Sequence, residues 1–433
     1  MSPDAPNASE PHEVSVEKKL RDLQELLEIS KALSLEKDFD KLIDLIVDAA
    51  NRVMEAERSS LYVYDPDAGE LWTKIAHQTD RFRIKVGQGI AGQVADCRQL
   101  MNIPDCDTDA RHFKGIDKKS GFHTRSILCG PLVNHEGKLI GVLQLLNKAA
   151  APGYFTAYDE SLLEAFSSHI ALTLDQARLV QAYLDKQKLM HDLQLAREIQ
   201  QGLLPKETPK IEGFDVFGWS DACDETGGDY FDYIPMRDGK LGLVIADVTG
   251  HGVGPALIMA ETRAFARAAA ALEGGIDRVL ASVNDYLAED LGGGRFVTLF
   301  WGLLDPAGGE FTYSSAGHGH SVICHAADGS LDELESTAPP LGIIRGLEFP
   351  MGRPSRLAPG DVLLMTTDGI EEAMNPSSEE YGRDRLRDVL REHAGASAAE
   401  IAQNIRNNVL WFMDGAAQRD DLTMVVVKAN ANA

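Results

Sequence analysis

Hydrophobic positions near the start of the chain fall at helical spacing. Leu20, Leu23, Leu27 and either Ile29 or Leu33 recur among charged neighbours, which predicts an amphipathic helix over residues 14–35. Leu42, Ile43, Ile46, Ala50 and Val53 mark one face of a second helix over residues 41–54. The period then shortens to two. Residues 60–64 and 70–76 read as strands around the turn DPDAG, and residues 127–133 and 139–146 as a second hairpin around NHEGK. From residue 159 to 204 the helical pattern is almost unbroken. Leu163, Ile170, Ala177 and Leu184 stand seven apart, with Phe166, Thr173 and Val180 between them. Such a seam in a long helix needs a cover, and a parallel dimer is the simplest one, with the N-terminal helix as its competitor. Pro205 and Pro209 end the helix.

Beyond residue 210 the pattern is mainly that of strands, at 215–219, 230–235, 241–248, 296–304, 310–315, 320–325, 361–367 and 422–428. Two helices, at 253–271 and 276–291, interrupt them. This predicts a sheet-on-sheet core with helices packed outside. The fold class is therefore α+β and multidomain. Its expected parts are a disordered tail (1–14), an N-terminal helix (15–35), an α+β sensor domain (36–180), a coiled-coil linker helix (160–204) and a β-sandwich flanked by helices (205–430).

Composition narrows the function classes. A length of 433 residues suits two to three domains. The sequence has no apolar run near the roughly 18–20 residues a membrane span needs. Residues 1–14 lack the basic start and apolar core of a signal peptide. Five scattered cysteines without a CxxC pair argue against a disulfide framework and fit a reducing cytoplasm. A formal net charge of −25 argues against a nucleic-acid partner.

Four short acidic signatures carry the chemistry: GGDYFDY at 227–233, IADVTGHG at 245–252, TTDGIEE at 366–372 and RDDLT at 419–423. In each, Asp residues sit where an apolar run meets a turn. Carboxylates gathered from distant strand ends are what hard divalent cations require, because Mg²⁺ and Mn²⁺ take several anionic oxygens in a rigid cage. Two such ions can activate a water nucleophile and neutralise a phosphoryl group. Singly, each Asp reads better as a turn or cap former, and only the four together outweigh that reading. Neither a P-loop nor a Cys-x5-Arg loop occurs.

Two resemblances follow from these residues. ERSSLYVYD, GIAGQVA and LIGVLQLLNK followed by FTAYDESLLEAFSSHIALTL resemble a GAF domain over residues 36–180. Within it Asn147, Lys148, Phe155, Asp159 and Glu160 match a pattern of cyclic-nucleotide-binding GAF domains. A fold brace, a cyclic-nucleotide pocket and a site for another small ligand are the readings left open there. The run from REIQQGLLP through GGDYFDY, DVTGHGVGPALIMA, FVTLFWGLLD, SAGHGH, PPLGI, TTDGIEEAMN and DDLTMVVVK resembles the SpoIIE-like branch of the PPM superfamily, the metal-dependent serine/threonine protein phosphatases.

The second resemblance implies two Mn²⁺ or Mg²⁺ ions per subunit. Asp247 would bridge them, with Asp229 and the Val248 carbonyl completing one site and Asp368 and Asp420 the other. Asp421 would orient the cluster or ligate in place of Asp420. Alongside Asp229 and Asp247, His251 is a candidate to protonate the leaving group, with a supporting role as the alternative. His318 and His320 are expected to shape a turn. The chain departs from many relatives in having no Arg near the first signature, so the metals, or an Arg such as Arg295 or Arg345, would hold the phosphate. The implied partners are a phosphorylated protein, of the STAS-type anti-sigma-factor antagonists, and a second copy of the chain. A non-catalytic GAF-controlled scaffold is the alternative. A signal is expected to pass from the GAF domain along the seam to the helices after Asp247.

Overall fold

The computed structural model describes residues 15–74, 81–109, 122–236, 239–272, 274–292 and 294–430. The tail expected at 1–14 lies outside them, as do the last two residues of the strand expected at 70–76. The chain divides into two compact units, Met1–Gln187 and Lys188–Ala433.

In the first unit, helices α1 (Val16–Leu35) and α2 (Phe39–Val53) precede a six-stranded sheet. Ser15 and Asp38 cap the two helices, accepting from the backbone N–H groups of Lys18 and Lys41. The strands are β1 (Ala56–Asp65), β2 (Glu70–Lys74), β3 (Arg81–Lys85), β4 (Met101–Ile103), β5 (Ile127–Val133) and β6 (Leu139–Lys148), with helix α3 (Gly89–Cys97) between β3 and β4. Their order is β3-β2-β1-β6-β5-β4. Helix α4 (Ala157–Gln201) follows. Alternation decides the faces. Leu61, Val63, Leu143 and Leu145 pack with α2 and the start of α4, while Tyr62, Val142 and Cys129 pack on α3.

This packing corrects the seam. Leu163, Phe166, Ile170 and Thr173 are buried, and the first three lie in the core beneath the sheet together with Ile29 and Leu33 of α1. The first half of the heptad pattern thus belongs to the domain interior. The apolar residues that stay exposed begin near the end of that core and include Leu179, Val180, Tyr183, Leu184, Leu189, Met190, Leu195 and Ile199.

The five residues matching the nucleotide pattern are engaged with one another and with nearby backbone. Lys148 Nζ donates to Asp159 Oδ1 at 2.8 Å and to the Met54 carbonyl at 2.9 Å. Asp159 Oδ2 accepts from Thr156, Glu160 Oε1 from Asn102, and Asn147 Oδ1 from the Arg125 N–H. The Phe155 ring is buried beside Lys148. That is the geometry of a brace joining β6 to the start of α4. Both side chains of the Lys148–Asp159 pair are 5% exposed. Breaking a buried pair is costly, but Lys148 keeps Glu55 Oε2 at 3.1 Å, so Asp159→Ala should cost about 3 kcal/mol, the low end of that range. Denaturant unfolding read by hydrogen exchange of β1 and β6 measures this, and Lys148→Met with Asp159→Leu together should recover much of the loss.

The second unit is a sandwich. One sheet has the order β14-β11-β10-β9-β8 and the other β13-β12-β15-β16-β7. Here β7 is Phe214–Asp221, β8 Tyr230–Pro235, β9 Leu241–Val248, β10 Val297–Asp305, β11 Glu310–Ala316 and β12 Ser321–Cys324. The remaining strands are β13 (Leu331–Glu333), β14 (Ser355–Arg356), β15 (Val362–Thr366) and β16 (Leu422–Ala429). Leu243, Ile245, Phe231, Phe300, Met365, Val425 and Val427 fill the space between the sheets. The alternate residues Val244, Ala246, Val248 and Trp301 face helices α5 (Val253–Leu272) and α6 (Ile276–Asp290). Leu364, Met424 and Val426 face a second pair on the other side, α8 (Gly382–His393) and α9 (Ala398–Met413), preceded by the single turn α7 (Asp368–Glu371). The pattern reading names only the first pair. Helix α8 buries just Leu386, Val389 and Leu390 among eight charged or His residues, so its apolar stripe is thin.

Candidate active site

Strand alternation aims the acidic signatures. Leu243 and Ile245 of β9 point between the sheets, and Asp247 continues the same face at the strand's end. Phe231 and Tyr233 of β8 fix the parity of Asp229 in the same way, and Val425 and Val427 that of Thr423 and Asp421. Asp368 opens α7 directly after β15, and Asp420 precedes β16. Five carboxylates therefore meet at one end of the sandwich.

Their electrostatics record the meeting. Burial, then Asp247 and Asp421, hold the Asp229 carboxyl well above its ordinary range, although hydrogen bonds from Thr423 and Thr367 oppose this. Burial, then Asp368, Asp420 and Asp421, push Asp247 up to about 7. Asp420 is raised as well, first by burial. Like charges held together at partial burial attract cations strongly. The donors are all oxygens, which fits Mg²⁺ or Mn²⁺.

Asp420 and Asp421 separate on their partners. Asp421 is buried, and both its oxygens are taken by backbone: Oδ1 accepts from Cys223 N at 2.8 Å, Oδ2 from Gly228 N at 2.6 Å and Asp229 N at 3.2 Å. It clamps the loop that delivers Asp229. Asp420 is half-buried and its carboxylate accepts from the Asp421 N–H. Gly227 and Gly228 are what let this loop close. A Cβ on Gly228 would lie 2.7 Å from the Val248 carbonyl oxygen, and one on Gly227 would strike the Asp421 carboxylate.

Three supports escaped the sequence reading. Thr367 Oγ1 donates to Asp229 Oδ2 at 2.8 Å. Gln200, at the end of α4, holds Gly227 twice: its Nε2 donates to the Gly227 carbonyl at 2.5 Å and its Oε1 accepts the Gly227 N–H at 3.1 Å. His318 does more than shape a turn. It is buried, and burial pushes its pKa down to about 3, so the ring is neutral. Nε2 donates to the Thr366 carbonyl at 2.9 Å, which leaves Nδ1 to accept from Thr298 Oγ1 at 3.1 Å. Thr298 pairs with Asp247 across β10 and β9, and Thr366 stands two residues before Asp368. His318 thus ties the two sheets at the acidic end. The parity of Thr367 with Leu363 and Met365 was a usable signal for its inward aim; nothing local marks His318 or Gln200.

His251 is exposed and pairs with Asp224 through Nδ1 at 2.6 Å. That bond raises its pKa. His320 bonds Glu371, which also accepts from Arg383. Arg345 is paired with Glu289. Arg295 is exposed and lies next to Phe296, whose carbonyl accepts the Thr249 N–H just after Val248.

Comparison with known proteins agrees with this architecture. Residues 237–430 match the family Stage II sporulation protein E (SpoIIE), and residues 38–174 the GAF domain. Protein IcfG of Synechocystis is 30% identical over 266 residues, covering 55% of this chain and 42% of that protein. The phosphoserine phosphatase RsbU of Bacillus subtilis is 27% identical over 245 residues, covering 56% and 71%. The chain thus spans less than half of one of these curated relatives and about seven tenths of the other. Among solved structures, the SiaA-PP2C domain of Pseudomonas aeruginosa superposes with a TM-score of 0.50 at 22% identity, covering 56% of this chain and 98% of that one. Sandwich, flanking helical pairs and acidic end define a PP2C-like phosphatase fold. The second unit thus has a PP2C-like fold and matches the SpoIIE model over residues 237–430, and residues 38–174 of the first match the GAF model.

Because Asp421 acts by holding the Asp229 loop, Asp421→Asn should weaken Mn²⁺ binding by about 10–100-fold, the usual scale for an outer partner of a metal ligand. Calorimetric titration measures it. His318→Gln should weaken binding on the same scale and also lower the melting temperature.

Proposed function

We propose that this chain removes phosphate from phosphoserine or phosphothreonine on a partner protein, using divalent cations held by its acidic end. The convergence of five carboxylates from four separate segments on one partly buried end of the sandwich carries this reading. Asp247 would be shared between two cations, with Asp229 and the Val248 carbonyl as the residues that would hold one and Asp368 and Asp420 the other. Two Mn²⁺ or Mg²⁺ ions bound there would supply an activated water and neutralise the phosphoryl oxygens.

The chain's own residues do the rest. Asp421, Thr367 and Gln200 fix the Asp229 loop, and His318 keeps the sheets in register at the site. His251, oriented by Asp224, which also raises its proton affinity, would give the proton that the departing serine oxygen needs. Exposed Arg295, whose neighbour Phe296 accepts from the Thr249 N–H, would be the guanidinium that meets the substrate phosphate, since Arg345 is paired with Glu289. Retention of every expected ligand position weighs against a non-catalytic scaffold.

A phosphorylated STAS-type anti-sigma-factor antagonist is the substrate class that the family resemblance favours. RsbU, a phosphoserine phosphatase by name, points the same way. The exposed stripe from Leu179 to Ile199 on α4 suits a parallel homodimer. No helix among the described residues is long and apolar enough to cross a membrane, and a cytoplasmic location is part of this proposal. A ligand of the GAF domain would act through α4, whose last turn grips Gly227. The expected path through the helices after Asp247 is the alternative to this lever.

Phosphate release from a phosphoserine peptide tests the proposal. Turnover should require Mn²⁺ or Mg²⁺ and fall more than about 100-fold in Asp247→Ala, beyond the loss typical of an outer partner. Metal-independent turnover, or full activity in that variant, would contradict it. Gln200→Ala should lower activity about 10-fold while leaving the GAF domain's own melting unchanged.

A further inference from the structure

Beside the aspartates lies a group of different chemistry. Cys223, Asp224 and His251 each offer a ligand atom, and these atoms all lie within 4.8 Å of one another. Among the described residues this is the only group of three or more Cys, His, Asp or Glu side chains so closely gathered. The donors are sulfur, oxygen and nitrogen, whereas the neighbouring cluster is oxygen alone. A thiolate, an imidazole and a carboxylate favour a borderline-soft ion over Mg²⁺ or Mn²⁺. Three protein ligands with one side left open is the arrangement of a tetrahedral zinc site that keeps a water position.

The group is also built. Cys223 is half-buried, and its N–H is fixed on Asp421 Oδ1 at 2.8 Å. His251 stands between Gly250 and Gly252, both at φ +87°, in the turn that joins β9 to α5. Asp224 Oδ2 meets the His251 ring at 2.6 Å. Burial, then Asp421 and Asp224, push the Cys223 thiol up to about 12. The same negative charges that disfavour a bare thiolate favour a cation, and an ion bound there would release the thiol proton to solvent.

We propose that Cys223, Asp224 and His251 form a separate site for a zinc-class divalent ion, which ties the loop carrying Asp229 to the turn that follows Asp247. An ion there occupies the imidazole that would otherwise serve as proton donor. It therefore switches the phosphatase down, a consequence that rests on the function proposed above.

Cobalt spectroscopy of the full chain tests the site without relying on activity. With the oxygen cluster first saturated with Mg²⁺, added Co²⁺ should produce a near-ultraviolet sulfur-to-cobalt charge-transfer band and tetrahedral visible bands. Zn²⁺ should bleach both. The charge-transfer band should vanish in Cys223→Ser and weaken at least about 10-fold in cobalt affinity in His251→Ala, an exposed position whose change leaves the fold intact. Cys97→Ser should leave it unchanged. No band in the wild type, a band surviving Cys223→Ser, cobalt affinity unchanged in His251→Ala, or a band lost in Cys97→Ser would overturn the proposal. If the band behaves as expected but Zn²⁺ leaves phosphate release unaffected, the inhibitory role is refuted and the site stands.

Discussion

Gathering like charges in a partly dry space is costly, and the second unit is organised around that cost. Asp229, Asp247, Asp368, Asp420 and Asp421 come from four segments, and burial together with their negative charges raises the proton affinity of Asp229, Asp247 and Asp420. The hydrophobic core forces them there. Strand residues alternate between the sheet interior and the helical layers, so whatever follows Ile245 or precedes Phe231 on the inner face must end at the same mouth. The apolar pattern sets the positions of the charges, and the charges set the demand for cations.

A second layer of neutral and backbone contacts makes this repulsion tolerable. Asp421 spends its carboxylate on three N–H groups, which turns one of the five charges into a structural clamp. His318 stays neutral and spans from Thr298 to Thr366, joining strands of opposite sheets. Gln200 reaches from the end of α4 to Gly227. That contact gives the linker helix a direct hold on the Asp229 loop. It supplies a physical route by which a change in α4 could alter the site without any motion of the core.

Much of this was legible in the chain, and the limits have identifiable causes. Asp229, Asp247 and Asp368 could be read because each sits at the end of a strand whose alternation is plain. The division of labour between Asp420 and Asp421 could not, since it depends on Cys223 and Gly228, nearly two hundred residues away. The role of His318 is hidden for the same reason. In α4 the heptad spacing was real, but periodicity does not say what covers a face. The sheet covers Leu163, Phe166 and Ile170, and the apolar stripe is left open only further along. The second helical pair was missed because the buried stripe of α8 is three residues wide. Asn147, Lys148 and Asp159 look like ligand readers in sequence. In the fold Lys148 pairs with Asp159, and Asn147 with Glu57 and nearby backbone.

The most direct test of the central claim is to count bound Mn²⁺ by electron paramagnetic resonance. The wild-type chain should bind two ions per chain with mutual magnetic coupling, the signature of the shared Asp247 ligand proposed above. In Asp247→Ala the coupled pair should be lost, leaving at most one weakly held ion. A wild type that binds no Mn²⁺, or an Asp247→Ala variant that keeps the coupled pair, would contradict the account.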